Sequence, residues 1–452
     1  MKTFLVGMVV LISVVHAWAQ TPPHVWRPLM PGLAYTIRVN PLDKNKLYVG
    51  NWSNQLYRSF DQGRTWTISI LGDLDAGNHL TTVHVCRADT NVILVGGYVM
   101  DGVMRSADGG QTWKRVLADS LNRRIWFISE AIVDDPNNVT TLYAVRGSTI
   151  NEVYRSQDCG ETWEVMGVVP DTMTTKLHTI AIRRDSSNIL FAGCQSGVIV
   201  RSDDSGRSWR PVPINDRFDL YTPDAEIPKI AFSPRSPNLG YAIVTISDPK
   251  NIKGNGGTLR TTDGGATWYR IAHQDTSLWA VEFQPVGDRE DVWVGGFRTF
   301  TLPTLIKGDS IVRRSTDGGE TWLKYDDVPW IPDEFGDVSA NIWVIKHDSL
   351  SGRMYLCTES GLFLLDDASS TPATTGNDMG LDVITTDAGI HVRLRDGRDC
   401  DVDLYTYAGE HIASSDRACD HHIAIPQRAS SRYLLIRVIP VTGEALYRVW
   451  MR

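Results

Sequence analysis

The chain has 452 residues, 42% of them apolar and 22% charged, with a formal net charge of −8. Such values suit a globular chain with room for a sizeable core. Acidic and basic residues are mixed throughout, and no block of Lys and Arg offers a footprint for nucleic acid.

The first residues read as an export signal. Lys2 supplies a positive start, Phe4 to Val15 is an apolar run, and Ala17-Trp18-Ala19 is a small-residue cleavage pattern. The run is shorter than the ~20 apolar residues that a membrane span needs, so residues 1–19 are assigned to a signal peptide. No later segment is apolar enough to be transmembrane, so the mature chain is expected to have none.

From there one pattern recurs six times: Arg-[Ser/Thr]-x-Asp-x-Gly-x-[Thr/Ser]-Trp. The copies are RSFDQGRTW ending at Trp66, RSADGGQTW at Trp113, RSQDCGETW at Trp163, RSDDSGRSW at Trp209, RTTDGGATW at Trp268 and RSTDGGETW at Trp322. The last glycines of the copies, Gly63, Gly110, Gly160, Gly206, Gly265 and Gly319, stand at intervals of 47, 50, 46, 59 and 54 residues. Composition bias does not produce that regularity, and such a period signals a repeat fold. The residue types say what the pattern is for. An Asp carboxylate can bind the amides of its own turn, glycine supplies positive φ, hydroxyls satisfy leftover turn groups, and Trp offers a large apolar face. Asp61, Asp108, Asp158, Asp204, Asp263 and Asp317 are therefore read as structural.

Each copy sits in a wider unit of four short runs rich in Val, Ile and Tyr, bounded by turn residues. The first unit runs through Tyr35–Asn40, Leu47–Gly50, Gln55–Ser59 and Thr65–Ile70. Four strands per repeat of this length make a propeller blade. A seventh unit, Ile342–Lys346, Met354–Cys357 and Gly361–Leu365, has three strands and no corner. The segment His24–Leu29 resembles the one that follows a corner (compare SWRPVP, Ser208–Pro213), so it is expected to pair beside Gly361–Leu365 and close the ring. The expected fold is all-β, a seven-bladed β-propeller over residues 20–367 followed by a small C-terminal β-sandwich.

The six copies resemble the Asp box, or BNR repeat, of sialidases, sortilin-type propellers, certain glycoside hydrolases and Ycf48-type assembly factors. The resemblance implies that the box is a hairpin turn at the outer edge of a blade and that ligands sit on the opposite face. The sialidase set of three carboxylate-gripping arginines and a Tyr/Glu pair cannot be assigned. Its first arginine has only Arg38, in Ile37-Arg38-Val39, as a counterpart, and that reads as an ordinary blade strand.

Residues 368–380 are small and polar, a linker composition. Residues 381–452 return to short strands in a sandwich pattern. VDLYTYAGEHI (Val402–Ile412) and SRYLLIRV resemble a type IX secretion sorting domain, although Arg432 stands where that family usually has glycine and its Asn-Pro opening is missing. The resemblance implies a secretion-machinery partner for residues 381–452 and a secreted or outer-surface location. Six cysteines are spread thinly without a CxxC or zinc spacing. Cys400 and Cys419 flank a hairpin and form the candidate disulfide; the other reading leaves all six free.

Four long insertions fall in loops of blades four to six: Asn215–Glu226, Ser247–Gly257, Arg298–Ser310 and Tyr325–Ser339. Long loops on a rigid scaffold are where binding usually resides. They contribute Tyr221, Asp224, Glu226, Phe300, Trp330, Asp333, Glu334 and Phe335, a mixture of aromatic faces and carboxylates suited to sugars or peptides. No cofactor or metal motif appears, and no catalytic residue is assigned. The first functional expectation is a non-catalytic binder of an extracellular protein or glycan. The alternatives are an extracellular glycoside hydrolase, which requires two carboxylates at a set separation, and a Ycf48-like assembly factor. The arginine before each corner (Arg58, Arg105, Arg155, Arg201, Arg260, Arg314) is read as pairing with local carboxylates rather than gripping an acidic partner.

Overall fold

A computed structural model describes residues 25–366, with breaks chiefly at 72–78, 118–130, 216–223, 297–311 and 329–340, and the strands of 381–451. Among the described residues there is no helix. Thirty-five strands build nine antiparallel sheets.

Seven four-stranded sheets are the blades. Blade I comprises β2 (Thr36–Asn40), β3 (Asp43–Gly50), β4 (Gln55–Ser59) and β5 (Thr67–Ile70). The same meander recurs with inner strands β6 (His79–Val85), β10 (Ile132–Asp135), β14 (Leu177–Ile182), β18 (Ala225–Phe232), β22 (Leu278–Val286) and β26 (Ile342–His347). Each inner strand packs against the next, and β26 packs against β2, so the ring is closed. Blade VII takes its outermost strand from the other end of the propeller: β1 (Val25–Pro31) pairs with β28 (Gly361–Asp366), Trp26 opposite Leu365 and Pro28 opposite Phe363. Closure leaves no inner sheet edge without a neighbour. Trp26 is buried, donates its indole N–H to Tyr325 O and meets Trp293 edge-on.

The repeated corner is the same in all six copies. In blade I, Ser59 Oγ donates to Asp61 Oδ1 at 2.8 Å and accepts the Gly63 amide at 2.7 Å, while the Thr65 amide and hydroxyl donate to the two Asp61 oxygens. Blade VI repeats it with Ser315, Asp317, Gly319 and Thr321. The Thr321 hydroxyl and amide hold the Asp317 carboxyl down to about 2. These donors exist only while the turn is folded, so the aspartates keep the corner closed.

Corners also join neighbouring blades. Arg58 donates to Gly109 O at 2.9 Å, Arg105 to Cys159 O at 3.1 Å and Arg260 to Gly318 O at 2.6 Å, in each case to the corner of the following blade. The local-carboxylate expectation holds for Arg155 and Arg201, paired with Glu164 and Asp203 in their own blades, and for Arg314, which pairs with Asp291. For the others, the main finding is a stitch to a backbone carbonyl. A disulfide, Cys86–Cys159, adds a covalent link between β6 of blade II and the corner of blade III, with Cα atoms 5.8 Å apart. It corrects the reading in which all six thiols are free. In the other candidate pair Cys400 is buried on β31 (Cys400–Thr406), and Cys419 lies outside the described residues.

The C-terminal strands form two sheets. One is β29 (Leu381–Thr386), β30 (Gly389–Leu394) and β33 (His421–Ile423); the other is β32 (His411–Ala418), β31, β34 (Tyr433–Pro440) and β35 (Leu446–Met451).

The corner glycines yield a paired stability test. A methyl group on Gly265 (φ +79°) would sit 2.4 Å from Phe191 of the preceding blade, whereas one on Gly109 (φ +74°) would meet nothing within 4 Å. Gly109→Ala should cost about 1 kcal/mol, the left-handed strain alone. Gly265→Ala should cost about 3 kcal/mol, because overpacking is added to that strain. Equilibrium urea unfolding of the two variants measures the difference.

Candidate functional site

In a four-stranded meander, the loop after the second strand and the connection into the next blade lie at one end, and the corners lie at the other. The inner strands therefore all begin at the corner-free end, here called the mouth. Several of them are irregular there. The ladder skips a residue between Leu80 and Thr82, Leu177 and Thr179, Leu278 and Ala280, and Ile342 and Val344, and two residues between Glu226 and Lys229. Such bulges re-aim side chains. Those released are Thr81, His178, Trp279 and Trp343.

Glycines make the approach of these strands possible. A methyl on Gly50 would lie 2.3 Å from Leu80 O, one on Gly147 1.9 Å from Leu177 O, and one on Gly193 2.2 Å from Ile227 O. In each case the carbonyl belongs to the next blade's inner strand at the mouth.

An arc of four rings runs across blades VI, VII, I and II. Trp279 meets Trp343 at 5.5 Å, Trp343 meets Tyr35 at 5.1 Å, both edge-on, and Tyr35 stacks on His79 at 5.0 Å with the planes 13° apart. Tyr35 and Trp279 are nearly buried; His79 is more open to solvent, as is Trp343. Burial raises the Tyr35 hydroxyl, and the nearby charge of Glu359 adds to it. Asn341 Nδ2 donates to Glu359 Oε1 at 2.7 Å, which fixes this carboxylate in the second loop of blade VII.

Blades IV and V complete the circle with ionisable groups. Glu226, at the start of β18, lies 3.9 Å from His178 Nδ1. Burial pushes the Glu226 carboxyl up to about 7; Asp224 pushes in the same direction and Lys176 opposes. His178 is buried and held down to about 3 by that burial and by Lys176, so its imidazole is neutral at ordinary pH. Neither imidazole nitrogen has a hydrogen-bond partner among the described residues. Asp224 accepts from Asn251 Nδ2 at 2.6 Å, tying the mouth of β18 to the loop after β19 (Gly240–Ile246).

Of the eight rim residues expected from the sequence, the structure brings Asp224 and Glu226 together at the mouth. Tyr221, Phe300, Trp330, Asp333, Glu334 and Phe335 lie outside the described residues. Sequence reasoning missed Tyr35, His79, His178, Trp279, Trp343 and Glu359. Stacking the repeats on their inner strands, as LTTVHV, LHTIAI, LWAVEF and IWVIKH, exposes the signal: the second position varies between Thr, His and Trp while its neighbours stay apolar or small. No group of three His, Cys, Asp or Glu side chains fit to hold a metal occurs among the described residues.

The comparisons with known proteins agree on the ring. The chain is 23% identical over 276 residues to the xyloglucanase Xgh74A of Acetivibrio thermocellus, covering 52% of this chain and 32% of that one. It is 24% identical over the same length to a xyloglucanase of a Paenibacillus species. It thus spans about a third or less of the length of these relatives. Among solved structures it is similar to a GH74 xyloglucanase from Xanthomonas campestris, with a TM-score of 0.59 at 16% identity, covering 94% of this chain and 68% of that one. It is also similar to YCF48 bound to a D1 peptide, with a TM-score of 0.53 at 16% identity, covering 76% of this chain and 95% of that one. No family model matches.

A carboxyl held neutral by burial costs stability once it must ionise. The folded pKa of Glu226 lies above its unfolded value, so the penalty is absent below about pH 4.5 and develops as pH rises to about 7. Glu226→Gln should therefore stabilise the protein by about 2 kcal/mol at pH 8 and leave it unchanged near pH 4. Thermal unfolding across that range reads the crossover.

Proposed function

We propose that this chain is an exported carbohydrate-active propeller, a glycoside hydrolase whose proton donor is Glu226. The observation that carries the reading is a largely buried glutamic acid, poised near neutral pH, at a mouth that aromatic rings line across blades VI, VII, I and II. A general acid works best with a pKa near the operating pH, and raised carboxyls are a mark of glycosidase acids. Aromatic rings favour stacking on the apolar faces of sugars. The two xyloglucanases matched in sequence point to glycans as well.

Hydrolysis needs a second carboxylate, ~5–5.5 Å away for retention or ~6.5–9.5 Å for inversion. Asp224 and Glu359 are the candidates among the described residues, and Asp333 and Glu334 are further candidates from the sequence, as are Trp330, Phe335, Phe300 and Tyr221 for sugar contact. The corners belong, in this reading, to the Asp-box class. Residues 1–19 would export the chain, and 381–452 would hand it to a type IX-like secretion route.

A second reading has its own support. The chain covers 95% of the YCF48 chain solved with a bound D1 peptide, but about a third or less of the xyloglucanases matched in sequence. In that case the same mouth binds without turning over.

The deciding experiment is hydrolysis of a panel of soluble polysaccharides by the mature chain, followed by reducing-end release. Activity is expected to fall as pH rises through about 7, because the acid form of Glu226 is lost. Glu226→Gln should lower kcat by at least ~100-fold with the fold intact. Saturable glycan or peptide binding that Trp343→Ala weakens, without any turnover, would establish the binder instead.

A further inference from the structure

Below the mouth, the inner strands carry a second set of charges that the proposed chemistry does not use. Their level is fixed by register. Arg38 on β2 lies opposite Tyr48, Glu282 on β22 opposite Trp293, and Lys346 on β26 opposite Tyr355, with the third strand then at Arg58, Arg314 and Leu364. These three residues therefore occupy one storey of the ring. His84 on β6 shares it, opposite Leu94 and then Arg105. Lys229 on β18 stands two residues nearer the mouth than Ala231, which is the equivalent position in blade V.

Ion pairs cross this space. Arg38 Nη2 reaches Asp134 Oδ2 at 3.0 Å, from blade I to blade III, so the gap between them is narrow. Arg87 Nε and His84 Nε2 approach the same carboxylate at 3.5 and 3.2 Å. Lys346 Nζ sits 3.2 Å from both Glu282 oxygens. Among the described residues the belt thus holds three arginine and lysine cations, Arg38, Arg87 and Lys346, and a fourth, titrating one, Lys229, beside two carboxylates, Asp134 and Glu282. Arg38 Nε is a buried donor without an acceptor among the described residues. The Arg38, Arg87 and Lys346 side chains are 22%, 29% and 21% exposed, so solvent and small solutes reach the belt.

We propose that the centre of the ring binds a small inorganic oxyanion, held between Lys229, Lys346 and Arg38. An excess of cations in a confined, partly desolvated space is unfavourable until an anion or deprotonation relieves it. Without an anion the relief falls on Lys229. Burial pulls its ammonium down to about 7, Lys346 and Arg38 push it further, and Glu282 resists. Among the described residues, other inner strands also carry His347, beside Lys346 on β26, and His178 on β14. His347 is held down chiefly by burial, and His178 is neutral for the same reason. Lys229 is therefore the group whose charge an anion would restore. This site stands or falls independently of Glu226 and of glycan hydrolysis.

Sulfate serves as the probe, since it does not itself titrate near neutrality. Calorimetric titration of the full chain with sodium sulfate, against sodium chloride at equal ionic strength, should give one saturable site. Affinity should be about tenfold weaker at pH 8 than at pH 6, because most Lys229 has lost its proton at the higher pH. At pH 8 the binding enthalpy should vary with the ionisation enthalpy of the buffer, reporting proton uptake. Lys229→Met should fold and lose the site. Lys229→Arg, charged throughout this range, should keep binding and lose its pH dependence, and it serves if the Met variant fails to fold. Equal responses to sulfate and chloride, or unchanged sulfate binding in Lys229→Met, would overturn the proposal.

Discussion

The hydrogen-bonded corner is the constraint on which the rest of this structure depends. A serine or threonine hydroxyl accepts the amide of a left-handed glycine and donates to an aspartate, which in turn holds the amide and hydroxyl of the residue four positions on. The glycine is there for two reasons: its φ is positive, and its bare Cα lets the previous blade press in, as Phe191 does on Gly265 and Leu94 on Gly160. One residue type thus fixes both the turn and the distance between blades. At Arg58, Arg105 and Arg260 the residue that precedes the corner then reaches forward to the next corner's carbonyl. Packing from behind and a hydrogen bond ahead make such a corner a joint between blades rather than a local turn.

A ring jointed in this way at one end leaves the other end free to be irregular. Bulges displace ladder bonds and bury polar groups, and isolated strands would not hold them. Here five inner strands are bulged at the mouth, and the side chains so released are among the most varied in the repeat. The unfavourable burial of Glu226 and the unpartnered nitrogens of His178 belong to the same economy. Such groups persist where the surrounding fold over-determines them, which is a property of functional sites. The disulfide between blades II and III tightens one joint further by linking the end of an inner strand directly to a corner.

The ring was legible in the sequence because its chemistry repeats. Six copies of a hydroxyl, an aspartate, a glycine and a tryptophan at fixed spacing leave one physical interpretation, and the runs between them are rich in Val, Ile and Tyr and bounded by turn residues. The mouth was legible only in part. Asp224 and Glu226 stood out because they end a long insertion, whereas Tyr35, His79, Trp279 and Trp343 looked like ordinary apolar members of short strands. For Trp279 and Trp343 the role comes from a backbone bulge, which no side chain announces. The bond between Cys86 and Cys159, 73 residues apart, was hidden for a related reason: it depends on two successive blades meeting, not on spacing. The arginine stitches were hidden because their acceptors are backbone carbonyls, which every residue possesses.

The opposition between the two ends also explains why charge could accumulate at the centre. Side chains on a single inner strand have little freedom, since each must fit its own sheet and the next blade. At one storey of the ring, however, seven strands converge, and long side chains from different blades meet even when their backbones are far apart. Arg38 and Asp134 do so across an intervening blade. A core built of aliphatic residues at that level would have to fill a space whose width is set by the blade count. Lysine and arginine span it with flexible stems and keep their heads hydrated or paired. Blade number therefore fixes the width, the width selects long charged side chains, and their imbalance creates the field that an anion would neutralise.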